Sequence, residues 1–317
     1  IAENGLSRVL TMQQPVGPCL FITPWNFPLA MGTRKVGPAI AAGCTSVVKP
    51  AKQTPLCMLA MAQILEQAGL PAGVCNVITA ARSGEIMAPL IADPGTRWEY
   101  GIAIDWCGKL IEAISGQTLE AYLRTNVLDP LAMHDTSFKI GASQRARLVR
   151  MHSRQAEGLV VTDFELPQSP ELHMGGGGLY GTVPDYLHFT QMILKRGQAA
   201  SGTQILRPET IALMSRNHIG ALEVQTLKKA MPALTNDANF FPGMVQKWGL
   251  SFLINTERSP QGRSAGSLSW AGLANTYYWI DPAARVTGIL ATQLFPFADI
   301  QALQLFRDFE AAVYRTL

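Results

Sequence analysis

The sequence predicts two unlike halves: an α/β half with parallel strands over residues 1–93, and an α+β half with an antiparallel sheet flanked by helices over residues 94–317. Three observations carry this. Up to Asp93, short apolar runs alternate with helical patterns, the rhythm of βαβ units. At Asp93-Pro94-Gly95 that rhythm gives way to two long helical stretches. From Trp248 onward the text turns to β-branched and aromatic runs with turn residues between them. With 317 residues, 48% of them hydrophobic and 15% charged, the chain has enough apolar material for two cores and is far from a disordered composition.

In the first half, strands are expected at residues 19–23, 45–48 and 74–79, and helices at 29–42, 55–68 and 84–92. Gly43 closes the first helix; Thr54 before Pro55 opens the second, and Gly69 ends it. Right-handed crossovers then make the three strands parallel. In the second half, helices are expected at 101–115, at 119–131 up to the Asp129-Pro130 break, at 183–196 and at 300–315. Strands are expected at 146–152, 158–164, 248–255, 267–280 and 285–293.

Composition narrows the function classes. Lys and Arg total 26 against 23 Asp and Glu, without a basic run, so neither nucleic acid nor an anionic membrane surface is an expected partner. Apolar stretches stop short of the ~20 residues a spanning helix needs. Five cysteines, an odd number without paired spacing, point to reduced thiols in a cytoplasmic protein. Five scattered histidines form no HxxxH, and no CxxC is present, so no metal site is expected. The oligomeric state is open, and a homo-oligomer is allowed.

The phrase Pro15-Val16-Gly17-Pro18, then Ile22-Thr23-Pro24-Trp25-Asn26-Phe27-Pro28, Gly37-Pro38-Ala39 to Gly43, and Val47-Val48-Lys49-Pro50 resembles the aldehyde dehydrogenase family. The resemblance implies a truncated Rossmann-like βαβαβα segment. It also implies that Asn26 once helped hold a substrate oxyanion and that Lys49 contacted an adenosine ribose. Lys52 stands where an acidic residue commonly binds the ribose, so NADP is the nucleotide a remnant would take. The resemblance ends at Asp93, before the family's general base and cysteine nucleophile, so its hydride chemistry is expected to be lost and no cofactor is expected.

Trp98-Glu99-Tyr100-Gly101, Leu128-Asp129-Pro130-Leu131-Ala132-Met133-His134-Asp135-Thr136, Gly175-Gly176-Gly177-Gly178 and Ser269-Trp270-Ala271-Gly272 resemble family VIII carboxylesterases, relatives of class C β-lactamases. The resemblance implies a β-lactamase-like domain that lacks the part bearing the family's Ser-x-x-Lys helix. In it Tyr100 would be the proton-transferring phenol. Trp270 and Gly272 would line the cleft, and the Leu273 N–H would be an oxyanion donor. A Trp in a strand more often packs a core, but the small Ala271 and Gly272 after it let a substrate approach the backbone.

One Ser-x-x-Lys does occur, Ser46-Val47-Val48-Lys49, upstream of Tyr100 as the esterases require. On a helix this spacing places hydroxyl and amine on one face; on a strand it sends them to opposite faces. Thr45, Val47 and Val48 are β-branched and Pro50 disfavours the α region for Lys49, so local preference is for a strand. An incomplete esterase half would instead favour recruiting the segment as a helix. Both conformations stand at this point. The expected function is a carboxylesterase for small short-chain esters, with Ser46 as nucleophile and Lys49 and Tyr100 moving the proton. The alternatives are a non-catalytic NADP- or partner-binding chimera and a weak β-lactamase.

Overall fold

A computed structural model describes residues 15–79, 95–229 and 231–317. The chain divides into two compact units, Ile1–Met87 and Ala88–Leu317. The helix expected at 84–92 lies outside the described residues.

In the first unit, strands β1 (Cys19–Ile22), β2 (Ser46–Lys49) and β3 (Cys75–Val77) form a parallel sheet in the order β1-β2-β3. Helices α1 (Pro28–Ala41) and α2 (Pro55–Gln67) each begin on proline, whose missing N–H costs nothing in the first turn. The core is Val36, Val48, Met58 and Met61. Gly32 lets the helices meet, because a Cβ there would lie 2.2 Å from the Met58 sulfur.

The conformation of residues 46–49 is thereby settled in favour of the strand. β2 is the central strand, bonded on both sides. Ser46 N donates to Val74 O at 2.8 Å on one flank, while the Thr45 and Lys49 carbonyls accept from Cys19 N and Thr23 N at 2.8 and 3.1 Å on the other. A helix would forfeit both ladders and pull the wholly buried Val48 out of the core.

The second unit opens with α3 (Ala103–Ser115) and α4 (Leu119–Leu123), which runs on into a π-helical turn, Arg124–Leu128. A short helix α5 (Ala142–Arg145) precedes the hairpin β4 (His152–Gln155) and β5 (Gly158–Val161), followed by α6 (Val183–Leu194) and α7 (Pro208–Met214). The main sheet comprises β6 (Gln246–Trp248), β7 (Leu253–Asn255), β8 (Leu268–Gly272), β9 (Thr276–Asp281) and β10 (Val286–Leu290), antiparallel throughout in the order β10-β9-β8-β7-β6. β11 (Leu294–Phe295) pairs with β4, and α8 (Ile300–Arg315) ends the fold.

Strand alternation divides this core into two layers. Tyr278 and Ile280 face one way and join Leu268, Ile254, Met192 and Ile193 of α6. Tyr277 and Trp279 face the other way, against Phe306 of α8, whose ring stacks on Tyr277 at 5.0 Å. The run expected as one strand at 267–280 is in fact a hairpin. Its turn places Asn275 at φ +59, a conformation asparagine tolerates. The strand expected at 146–152 starts only at His152.

Asp299 caps α8 by accepting from Ala302 N at 3.0 Å, and it pairs with Arg154 of β4. Burial alone would raise its pKa, but the Arg154 guanidinium and the helix amides outweigh burial and hold it below the usual carboxylate range. A carboxylate depressed in this way stabilises the fold above its unfolded pKa of about 3.9, and that contribution is lost as pH falls through the folded value. The urea midpoint of the wild type should therefore fall on acidification below about pH 4, and Asp299→Asn should flatten that limb while lowering the midpoint at pH 7.

Candidate active site

Tyr100 sits just before α3, and the glycine run fixes that helix. Gly176 N donates to the Asp105 carboxylate at 2.8 Å. Gly175 lies so close to α3 that a Cβ would fall 2.3 Å from the Ile104 carbonyl oxygen and 3.3 Å from Gly108 N. Backbone meets backbone here, which only glycine permits. The run thus positions the helix that follows Tyr100.

Trp270 lies on β8, and its ring centroid is 5.0 Å from that of Tyr100. The hairpin beyond it is held by Asn275. Its Nδ2 donates to the Leu294 and Pro296 carbonyls at 2.8 and 2.7 Å, and its Oδ1 accepts from the Asp299 amide at 3.0 Å. Leu273, at the tip of the turn, is 47% exposed, and Tyr100 is 46% exposed. Tyr100, Trp270, Gly272 and Leu273 are therefore carried by one unit, with phenol and turn open to solvent. A Cβ on Gly272 would only touch Thr276 at an ordinary 3.6 Å, so the fold itself does not demand glycine there.

Ser46 and Lys49 require correction. They lie three apart on an extended strand, so their side chains project from opposite faces of the sheet. Ser46 is wholly buried and within 3.4 Å of the Val74 carbonyl, and Lys49 is 4% exposed. A nucleophilic hydroxyl needs a base on its own face and room for an acyl carbon, and this serine has neither.

Three residues of this region, Trp98 and Glu99 of the Trp-Glu-Tyr motif and Trp248, were given no role of their own from sequence. Trp248 of β6 packs edge-on to Trp270 at 4.5 Å, and Trp98 contacts Trp248 at 5.2 Å. Glu99, salt-bridged to Arg97 at 3.2 Å, lines with Trp98, His218, Ile219 and Leu222 a cavity of about 500 Å3. Nothing in the spacing of residues 98, 248 and 270 announces that they meet.

The nucleotide implied by the first unit fits poorly. Only three parallel strands are described, and the ammonium expected at the ribose belongs to the buried Lys49. Among the described residues, no group of three or more His, Cys, Asp or Glu is placed to hold a metal ion, and no helix is long and apolar enough to cross a membrane.

Comparison with known proteins reflects the same division. The aldehyde dehydrogenase family model matches residues 3–99, and the beta-lactamase family model matches residues 85–312. Succinate-semialdehyde dehydrogenase of Paenarthrobacter nicotinovorans is 57% identical over 94 residues, 30% of this chain and 21% of that protein. The chain thus spans about a fifth of the length of the curated relatives it matches. Among solved structures, a LovD6 mutant of simvastatin synthase from Aspergillus terreus is 30% identical with a TM-score of 0.61, covering 71% of this chain and 58% of that one. EstCE1, described as a hydrolase with promiscuous acyltransferase activity, shares the fold at 22% identity and a TM-score of 0.53, over 71% of this chain and 58% of its own. The protein is a chimera: a short aldehyde dehydrogenase segment precedes a domain spanning most of the chain, and by that domain the chain belongs to the beta-lactamase family.

Proposed function

We propose that the second unit carries a serine-hydrolase-type site for small carboxylic esters, of the carboxylesterase class, and that this chain binds such esters without forming an acyl-enzyme at Ser46. The observation that supports this reading is the juxtaposition of the half-exposed Tyr100 phenol with Trp270 at 5.0 Å, beside the exposed turn that carries the Leu273 amide. An ester carbonyl at the end of β8 would point its oxygen at that amide, and the phenol would donate a hydrogen bond to the alkoxy oxygen. Trp270 and Gly272 form the wall. The bond-making step needs an accessible oxygen nucleophile with a base on its own face, and Ser46, wholly buried in the extended β2, does not offer one.

Tryptophan emission is the natural probe, since Trp270, Trp248 and Trp98 lie together. Titration with ethyl butyrate should quench it saturably, and Trp270→Leu should abolish most of that response. Release of nitrophenol from p-nitrophenyl butyrate should be no faster with the wild type than with Tyr100→Phe. NADP should leave the melting temperature unchanged. An absence of saturable ester binding, or a melting temperature raised by NADP, would replace this reading with that of a nucleotide-binding remnant.

A further inference from the structure

The buried Arg263 uses only part of its hydrogen-bonding capacity inside the protein. Its Nη2 donates to the Glu310 carboxylate at 2.6 Å, while its Nε, equally shielded from solvent, has no partner among the described residues. A guanidinium N–H left unmatched in a core is costly, so its surroundings call for an acceptor that the chain itself does not provide.

Arg263 lines a cavity of about 20 Å3 between α8 and the main sheet. That volume admits one particle the size of a water molecule and shuts out polyatomic ions. Two more of the lining groups are donors. Arg307 of α8 is half-buried and forms no ion pair among the described residues, and the Ser269 hydroxyl of β8 is a rotatable donor on a 5% exposed residue. Glu310 is the one carboxylate of the wall, and both of its oxygens are engaged, one by Arg263 and the other by Ser259 at 3.1 Å. Two guanidiniums therefore face one carboxylate, an excess of one positive charge in a largely aromatic enclosure.

Water suits such a wall poorly. It would accept from Arg263 Nε, but its own two hydrogens need acceptors. The carboxylate is taken, and Arg263 already lies over the rings of Phe241, Trp279 and Phe306. A halide has no hydrogens to place, accepts from every donor it meets and cancels the surplus charge.

We propose that this cavity binds a single halide ion, chloride as the common one, held by Arg263 Nε, Arg307 and Ser269. The proposal does not depend on the ester-binding reading, and its test uses no ester.

Melting of the full chain, followed by tryptophan emission, is compared in sodium chloride and in sodium gluconate at one ionic strength, gluconate being far too large for the cavity. Chloride should raise the melting temperature by at least about 2 °C, and the rise should saturate with concentration, as binding to the folded state alone requires. Bromide should act like chloride. Arg307→Gln, at a half-buried position, should lose most of the rise, Arg307→Lys should retain part of it through its charge, and Ser269→Ala should weaken it. Equal melting in the two salts, a rise that never saturates, or the same saturable rise in Arg307→Gln overturns the proposal.

Discussion

Glu310→Gln is expected to destabilise the second unit by about 3–5 kcal/mol, the cost of leaving one member of a buried ion pair unmatched. Glu310 of α8 and Arg263 are 1% and 2% exposed and meet at 2.6 Å. The guanidinium is packed 5.1–5.4 Å from the ring centroids of Phe241, Trp279 and Phe306, so removing its counter-charge leaves a cation with no route to water. Burial pushes the Arg263 pKa down and the glutamate resists that push. The other carboxylate oxygen accepts from Ser259 at 3.1 Å, and Ser259 Oγ in turn accepts from the Arg263 amide at 3.0 Å, so one group ties the 259–263 loop to α8. Urea unfolding measures the loss. The double replacement Arg263→Met with Glu310→Leu should recover most of it, because an apolar pair of similar volume needs no desolvated charge. A single-mutant cost below about 1 kcal/mol would show the pair to be hydrated, contrary to its burial.

The second large effect concerns the site. Gly175→Ala places a methyl group 2.3 Å from the Ile104 carbonyl oxygen, and no side-chain rotation relieves a clash with backbone. α3 must move, at a cost of about 1–3 kcal/mol by the usual penalty of overpacking, and Tyr100 moves with it. Ester binding followed by tryptophan emission should weaken along with stability. Gly272→Ala is the matched control. Its methyl group meets Thr276 at 3.6 Å, so stability should change by less than about 0.5 kcal/mol, and any weakening of ester binding then reports crowding at the site itself. Equal ester affinity in the wild type and Gly175→Ala would mean that the glycine run does not position Tyr100.

Much of this fold is legible from local chemistry. The terminal helix expected at 300–315 is observed as Ile300–Arg315, because Asp299 starts it and its apolar period is regular. The strand at 46–49 follows from Val47, Val48 and Pro50, which act locally and in the same direction. Other elements are set at a distance. β4 reads His-Ser-Arg-Gln, with no apolar alternation. It is a strand because β5 and β11 flank it and Asp299 anchors Arg154. The β8–β9 turn lacks glycine and is held by Asn275 reaching carbonyls 19 and 21 residues away.

The site divides along the same line. Tyr100, Trp270, Gly272 and Leu273 are marked by short motifs and do fall in one unit, on α3's approach and the β8 hairpin. Trp98 and Trp248 complete the aromatic cluster only through sheet packing, which no spacing in the sequence encodes. The tetrapeptide from Ser46 to Lys49 shows the reverse error. Its residue types match a catalytic pair, but the pair exists only on a helix, and two flanking strands hold the segment extended.

The central claim is that Ser46, held extended and wholly buried in β2, forms no acyl-enzyme, and peptide mapping after incubation of the full chain with excess fluorophosphonate tests it most directly. The account predicts no adduct on Ser46. A stoichiometric adduct mapped to Ser46 that disappears in Tyr100→Phe would contradict it.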